Sequence, residues 1–374
     1  MPPSAPRYGS ASLADLLPSV LAALGVPGED AVLDVALERP LVCLLLIDGL
    51  GADLLAEHAA DAPFLAGLHD RARDLDCGFP STTATSLGSL GTGRPPGVHG
   101  LAGYTVRVPE TGAILNHLRW DQPVDAERWQ PYPTAFQRAE AAGVAVTRIG
   151  PWSFHGTGLT TAALRGGDYR GADALGERVI EAALALARPG PALAYVYEGD
   201  LDSVGHRRAP GSAAWLQQLA LTDVFAARLA EALPTGATLL VTGDHGMVEV
   251  PEDARVDLDA DPALAEGVEA LASEPRARYV HTRAGAAEDV RAAWSAVLGD
   301  RAWVVLRDEA VAAGWFGPEV VEAVRPRLGD VIAVARGQHA LVSLAIEPFA
   351  PLLKGMHGSL EASDQRIPLL AMRA

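Results

Sequence analysis

The nine residues LVCLLLIDG, Leu41 to Gly49, decide the fold. An unbroken apolar run this short, bounded by a charge and a glycine, reads as a strand buried on both faces. Strands of that kind belong to parallel sheets covered by helices on each side. The run ends in Asp48, so an acid stands at the strand's carboxyl end. The same design recurs in ALAYVYEGD, Ala192 to Asp200, and in ATLLVTGDHG, Ala237 to Gly246. Between these two, SAAWLQQLALTDVFAARLAEAL reads as a helix, with Leu221, Val224, Phe225 and Leu229 at helical spacing on one face. Strand, helix and strand in this order predict an α/β fold with a parallel sheet flanked by helices. Ligands of such sheets bind beyond the carboxyl ends of the strands, which is where the acids lie.

The N-terminal stretch LADLLPSVLAALG reads as a helix of the folded protein, since Asp15 and Pro18 interrupt any secretory apolar region. From Pro251 to Arg336 the chain turns rich in Ala, Glu, Asp and Arg, with the short strands ARYVHT and AWVVLRD. The expected organisation is a catalytic core of residues 1–250 and 337–374, with 251–336 inserted as a small α/β subdomain. ALVSLAIEP and KGMHGSL are expected to return the chain to the core.

Composition narrows the function. The chain has 374 residues, long enough for a large core with an added subdomain. With 30 basic against 47 acidic residues its net charge is −17, which argues against a binder of nucleic-acid polymers. No apolar run approaches the ~18 residues of a membrane span, so a cytoplasmic protein without membrane contact is expected. Cys43 and Cys77 lack the paired spacing of a zinc knot or redox motif and read as buried thiols.

The strand ends supply the chemistry. Asp48 closes the first, DSVGH gives Asp202 and His206, TGDHG gives Asp244 and His245, and GMHG gives His357. Three carboxylates and three imidazoles form a ligand set suited to zinc or a similar divalent ion. They exceed the need of one catalytic zinc and match two metals about 3.5–4 Å apart. His58, His69, His99, His117, His155, His281 and His339 lack such company and read as turn formers or solvated side chains. FPSTTATSLGSLGTG, Phe79 to Gly93, places Ser81, Thr82, Thr83, Thr85 and Ser86 at a helix start. Such hydroxyls cap a first helical turn, or one of them is a nucleophile beside an anion site. Arg94 and His99, in a Pro/Gly loop, read as turn chemistry.

Taken in order, these motifs resemble the nucleotide pyrophosphatase/phosphodiesterase branch of the alkaline phosphatase superfamily. The order is strand Asp48, Pro-x-x-Thr at Pro80 to Thr83, Asp-x-x-x-His at Asp202 to His206, Asp244-His245-Gly-Met, and Gly-Met-His357-Gly. The resemblance spans Asp48 to His357 and implies an alkaline-phosphatase-like fold. It implies one zinc held by Asp48, Asp244 and His245 and completed by the nucleophile Thr83, with Thr82 as the rival. A second zinc falls to Asp202, His206 and His357, another divalent metal being an alternative. The implied activity is hydrolysis of a small phosphodiester or nucleotide through a covalent phosphothreonine. Phosphomonoesterase or phosphonate hydrolase activity is the alternative, and a catalytically weak zinc-binding protein the remote one. Members commonly carry Asn three residues after the nucleophile to bind a phosphoryl oxygen; here Ser86 stands there as the substrate-binding candidate. The Cys-x-Pro-x-Arg signature of sulfatases is absent. Tyr104 and Asn116 are further candidates to line the pocket, and Glu198 and Asp200 read as acids orienting a ligand histidine or as surface charges.

Overall fold

The structure, a computed structural model, describes residues 3–69 and 73–373, with the side chains of His69 and Arg73 outside that description. The helical reading of the N-terminal stretch corresponds to α1 (Leu16–Ala23), entered through a 3-10 turn, Leu13–Asp15. Pro18 sits in its first turn, where no backbone hydrogen bond is lost. The apolar run Leu41–Ile47 is β1 and is buried at every position. In chain order there follow β2 (Arg73–Asp76), α2 (Thr83–Thr92), β3 (Ala145–Gly150), α3 (Gly158–Leu164), β4 (Asp168–Gly171) and β5 (Ala192–Glu198). Next come α4 (Asp200–Arg208), α5 (Ala213–Ala232) and β6 (Thr238–Gly243). Four strands then lie between residues 268 and 335: β7 (Val268–Glu274), β8 (Ala277–Thr282), β9 (Ala302–Leu306) and β10 (Val331–Ala335). The C-terminal β11 (Arg366–Arg373) closes the order.

The central sheet runs β2-β11-β6-β1-β5-β3-β4. β1 pairs in parallel with both β5 and β6, in the register Ile47↔Glu198 and Ile47↔Gly243, so the three motif-bearing strands end side by side. β11 alone runs against its neighbours β6 and β2. Successive residues of β1 serve opposite cores. Val42, Leu44 and Leu46 pack with Leu16, Leu17, Leu87 and Leu90 of α1 and α2, whereas Leu41, Cys43, Leu45 and Ile47 pack with Trp215, Leu219, Phe225 and Leu229 of α5. Cys43 and Cys77 are free, buried thiols. No helix among the described residues is long and apolar enough to cross a membrane.

Two expectations are corrected. On α5, Leu221 and Val224 are exposed, and the buried face is set by Trp215, Leu219, Thr222, Asp223, Phe225, Ala226, Leu229 and Ala230. Asp223 turns inward because its carboxylate accepts the N–H groups of Phe64 and Leu65 at the start of the helix Pro63–His69. The stretch ALVSLAIEP does not join the central sheet; Ala340–Val342 pairs in parallel with Arg255–Asp257. Strands β7 to β10 form their own antiparallel sheet, ordered β7-β8-β10-β9, over a core that includes Val280, Trp294 and Val331.

Candidate metal centre

Each sequence motif reaches one site by a local route. Gly49 takes a positive φ of 76° directly after Asp48, and a Cβ there would lie 3.1 Å from Asp202. That turn stops β1 and lets the backbone of α4 approach. Asp202 and His206 do not project from a strand end as expected, but from the first and the last turn of α4, where a spacing of four puts both on one helix face. Asp244 and His245 follow β6 directly, and His357 follows the two-residue strand Gly355–Met356. Thr83 is the first residue of α2. Thr82 is its N-cap residue, yet its side chain makes no capping hydrogen bond, so the hydroxyl of Thr82 is not spent on the helix.

The six ligand candidates fall into two groups, Asp48 with Asp244 and His245, and Asp202 with His206 and His357. Within each group the ligand atoms lie within 4.8 Å of one another. The His245 and His357 rings stack at 3.6 Å between centroids, so the groups abut. Thr83 Oγ1 lies 3.3 Å from His245 Nε2, at the edge of the first group.

This donor set fits divalent cations. Each imidazole gives its Nδ1–H to a backbone carbonyl: His206 to Gly355 at 2.8 Å, His357 to Ser81 at 2.7 Å, His245 to Gly246 at 2.9 Å. A carbonyl can only accept, so each lone pair is on Nε2. In their neutral forms the Nε2 atoms of His206 and His357 turn lone pairs towards each other across 3.2 Å. His245 Nε2 faces Asp48 Oδ1 at 3.3 Å and Asp244 Oδ2 at 3.6 Å. Asp48 Oδ1, Asp202 Oδ1 and Asp244 Oδ2 are buried without a hydrogen-bond partner. Burial, then Asp244 and Asp202, hold the Asp48 carboxyl well above the usual carboxylate range, and burial raises Asp244 as well. Burial, then His245 and His206, push His357 well below the ordinary imidazole value. Facing lone pairs and crowded carboxylates are a costly arrangement that positive charge between them relieves.

Residues outside the motifs complete the site. Tyr197, on β5, donates its hydroxyl to Asp48 Oδ2. Gly49 N–H donates to Asp244 Oδ1 at 3.0 Å. Glu274, at the end of β7, joins Thr83, Tyr104, His206 and His357 around a cavity of about 240 Å³. One of its oxygens accepts the Tyr104 N–H at 2.8 Å, the other has no partner, and burial pushes the carboxyl up to about 8. A second cavity, of about 340 Å³, opens from Asp48 and Thr83 along the sheet face towards Arg148 and Tyr195.

The remaining candidates divide. Tyr104 lines the cavity at Thr83, but Asn116 lines a neighbouring one, and its Oδ1 accepts the N–H groups of Leu118 and Arg119. Ser86 is fully buried and donates its hydroxyl to the Asp244 carbonyl at 2.5 Å, so that hydrogen is committed to the protein. Glu198 is fully buried and receives the Asp200 N–H at the start of α4, orienting no histidine; burial pushes it up to about 7. Asp200 is exposed at the cavity mouth. His99, His117 and His281 are buried rather than solvated, and His99 and His117 have hydrogen-bond partners within the fold. The His69 side chain lies outside the described residues.

Comparison with known proteins places these observations. The sequence model of a family described as type I phosphodiesterase / nucleotide pyrophosphatase matches residues 42–360. Among solved structures, murine ectonucleotide pyrophosphatase/phosphodiesterase 5 superposes with a TM-score of 0.71 at 18% identity, over 88% of this chain and 87% of that one. An inactive threonine-to-alanine variant of the same murine protein, in complex with AMP, superposes with a TM-score of 0.70 at 17% identity, over 88% of this chain and 87% of that one. Phosphonoacetate hydrolase from Sinorhizobium meliloti, in complex with phosphonoacetate, superposes at 0.67 with 21% identity, over 90% of each chain.

Proposed function

Because the chain belongs to the type I phosphodiesterase/nucleotide pyrophosphatase family, we propose that it is a two-zinc hydrolase of small phosphodiesters or nucleotide phosphoanhydrides, with Thr83 as nucleophile. The observation that carries the reading is the pair of abutting three-ligand groups with Thr83 Oγ1 at their edge. When bound, two divalent cations supply counter-charge to the carboxylates and acidify a coordinated hydroxyl. Asp48, Asp244 and His245 would hold one of them with Thr83, and Asp202, His206 and His357 the other.

The chain's own residues then position the reaction. The Nδ1–H bonds of the three histidines fix each ring with Nε2 facing the centre. Tyr197 orients Asp48, and Ser86 anchors the backbone at Asp244. Thr83 stands at the N-terminus of α2, whose N–H groups and dipole favour a phosphoryl anion. The bond from Thr83 Oγ1 to phosphorus forms as the bond to the departing oxygen breaks, and water later restores the threonine. The inactive threonine-to-alanine neighbour with AMP supports both the nucleophile and a nucleotide-sized substrate.

Substrate charge favours the diester. Among the described residues no Lys or Arg lines the cavity at Thr83 and His357, and the sole lysine of the sequence, Lys354, is exposed. A dianionic monoester wants a further cation beside its second charge, whereas a diester carries one charge fewer. The likeness to phosphonoacetate hydrolase keeps phosphonate cleavage as the second reading. The deciding experiment compares Thr83→Ala with Thr82→Ala on aryl mono- and diesters sharing one leaving group. Thr83→Ala should lose several orders of magnitude in rate and Thr82→Ala far less, with wild type faster on the diester. Reversed effects move the nucleophile to Thr82, and a monoester preference of about tenfold or more overturns the diesterase reading.

A further inference from the structure

The larger cavity holds a feature that the phosphoryl chemistry does not use. Arg148, on β3, lines its far end and is only 9% exposed. Its Nη2 donates one long hydrogen bond, 3.3 Å, to the Gly167 carbonyl, and its Nε is buried with no partner. No carboxylate among the described residues lies within ion-pair distance of it; Glu140 acts only from farther away, and the guanidinium stands 5.5 Å from the Tyr169 ring. Beside it, the Tyr195 hydroxyl is also buried and without a partner. Arg178, by contrast, spends its guanidinium on the carbonyls of Ala172, Tyr197 and Asp173. A buried guanidinium without a counter-charge is costly, and one long hydrogen bond and one distant ring contact recover only part of that cost. The cavity walls between Arg148 and Thr83 include Leu87, Leu159 and Leu164. Strand register puts Arg148 opposite Tyr195, and Tyr195 opposite Leu44. Asp48 is four residues beyond Leu44, about 13 Å along the strand, and β3 lies two strands, about 10 Å, from β1, so the backbone of Arg148 lies about 16 Å from that end of the centre.

We propose that this cavity is a substrate subsite in which Arg148, with the Tyr195 hydroxyl, binds a terminal anion, carboxylate or phosphate, at the far end of an apolar ester arm. The inference rests on the hydrolase reading above and adds a selectivity that the metal centre alone does not supply. The preferred substrate is a phosphodiester one of whose arms is an apolar chain ending in a negative charge. Its length matches the span from the reacting phosphorus to the guanidinium, at most about fourteen bonds.

The test uses the metal-loaded protein and 4-nitrophenyl alkyl phosphodiesters of graded length, tipped with carboxylate, phosphate or methyl. Wild type should prefer an anionic tip over methyl by about tenfold or more in kcat/KM, the range expected of hydrogen bonds to a charged group. The preference should peak at one chain length. Arg148→Met should bring the ratio to within about threefold of one, and Arg148→Lys, which keeps the charge, should restore part of it. Tyr195→Phe should lower it less. Whichever of carboxylate and phosphate gains more identifies the anion. Equal rates on charged and neutral tips in wild type, or an unchanged ratio in Arg148→Met, overturn the proposal. If no diester is turned over, the hydrolase reading fails separately, and calorimetry with nonanoate and nonyl phosphate still decides the subsite. Binding lost in Arg148→Met upholds it, and no binding to wild type, or equal binding to both, refutes it.

Discussion

Removing either half of the Arg276–Asp364 pair should destabilise the protein more than removing both together would suggest. Arg276, in the turn between β7 and β8, donates Nε to Asp364 Oδ1 at 2.8 Å and Nη2 to Oδ2 at 2.9 Å, and both side chains are fully buried. Asp364 Oδ1 also accepts the Ser359 N–H at 2.9 Å, two residues beyond His357, and Arg276 Nη1 donates to the His339 carbonyl at 2.6 Å. The pair therefore ties the four-stranded sheet to the loop that carries a candidate metal ligand. Arg276→Met leaves a buried carboxylate and Asp364→Leu a buried guanidinium, each costing about 3–5 kcal/mol. Independent effects would sum to about 6–10 kcal/mol. The double variant strands no charge and should cost about as much as one single, giving a coupling energy of about 3–5 kcal/mol. Urea unfolding followed by tryptophan fluorescence at fixed metal concentration measures all four proteins. Single-variant costs that add to the double within about 0.5 kcal/mol would rule out the coupling, because additivity means the two groups do not interact.

Acid stability tests the buried histidines. Burial lowers His99 to about 3 and His117 to about 4, so both stay neutral in the fold while the unfolded chain protonates them below its ordinary value near 6.5. Their contribution is complete above that value and is lost as pH falls, towards 4 for His117 and towards 3 for His99, by about 1.4 kcal/mol per pH unit for each group. Urea midpoints of wild type and His99→Gln across this window should differ in slope by one proton, and equal slopes would contradict the assignment. Gly91→Ala would place a Cβ 1.9 Å from the Ala163 carbonyl oxygen where α2 crosses α3. The overlap should outweigh the helix-propensity gain of about 1 kcal/mol and lower the thermal midpoint; a rise would show that α3 yields freely. Ser86→Ala orphans the buried Asp244 carbonyl and should cost about 1–3 kcal/mol of stability with KM unchanged at saturating metal. A raised KM would instead return Ser86 to the substrate.

The parallel core was legible because β1, β5 and β6 are short apolar runs that need both faces covered. The apolar face of α5 was not, since its many Leu and Ala residues allow more than one stripe and the inward turn of Asp223 is set by a distant helix start. Strand β11 went unread because Pro368 interrupts RIPLLAMR, although Pro368 precedes the ladder with β6, which begins at Leu369. The ligand candidates could be found because each sits in a compact motif. Tyr197, Glu274 and Arg148 could not, because their roles come from neighbours far away in sequence: Tyr197 meets Asp48 across 149 positions. Ser86 occupies a recognisable motif position but spends its hydroxyl on Asp244, a partner no spacing rule reveals.

Anomalous scattering at the zinc edge, from crystals of enzymatically active protein, tests the two-metal centre most directly. Two peaks about 4 Å apart are expected, one among Asp48, Asp244 and His245 and one among Asp202, His206 and His357. A single peak, or none, in crystals that hydrolyse a diester would contradict it.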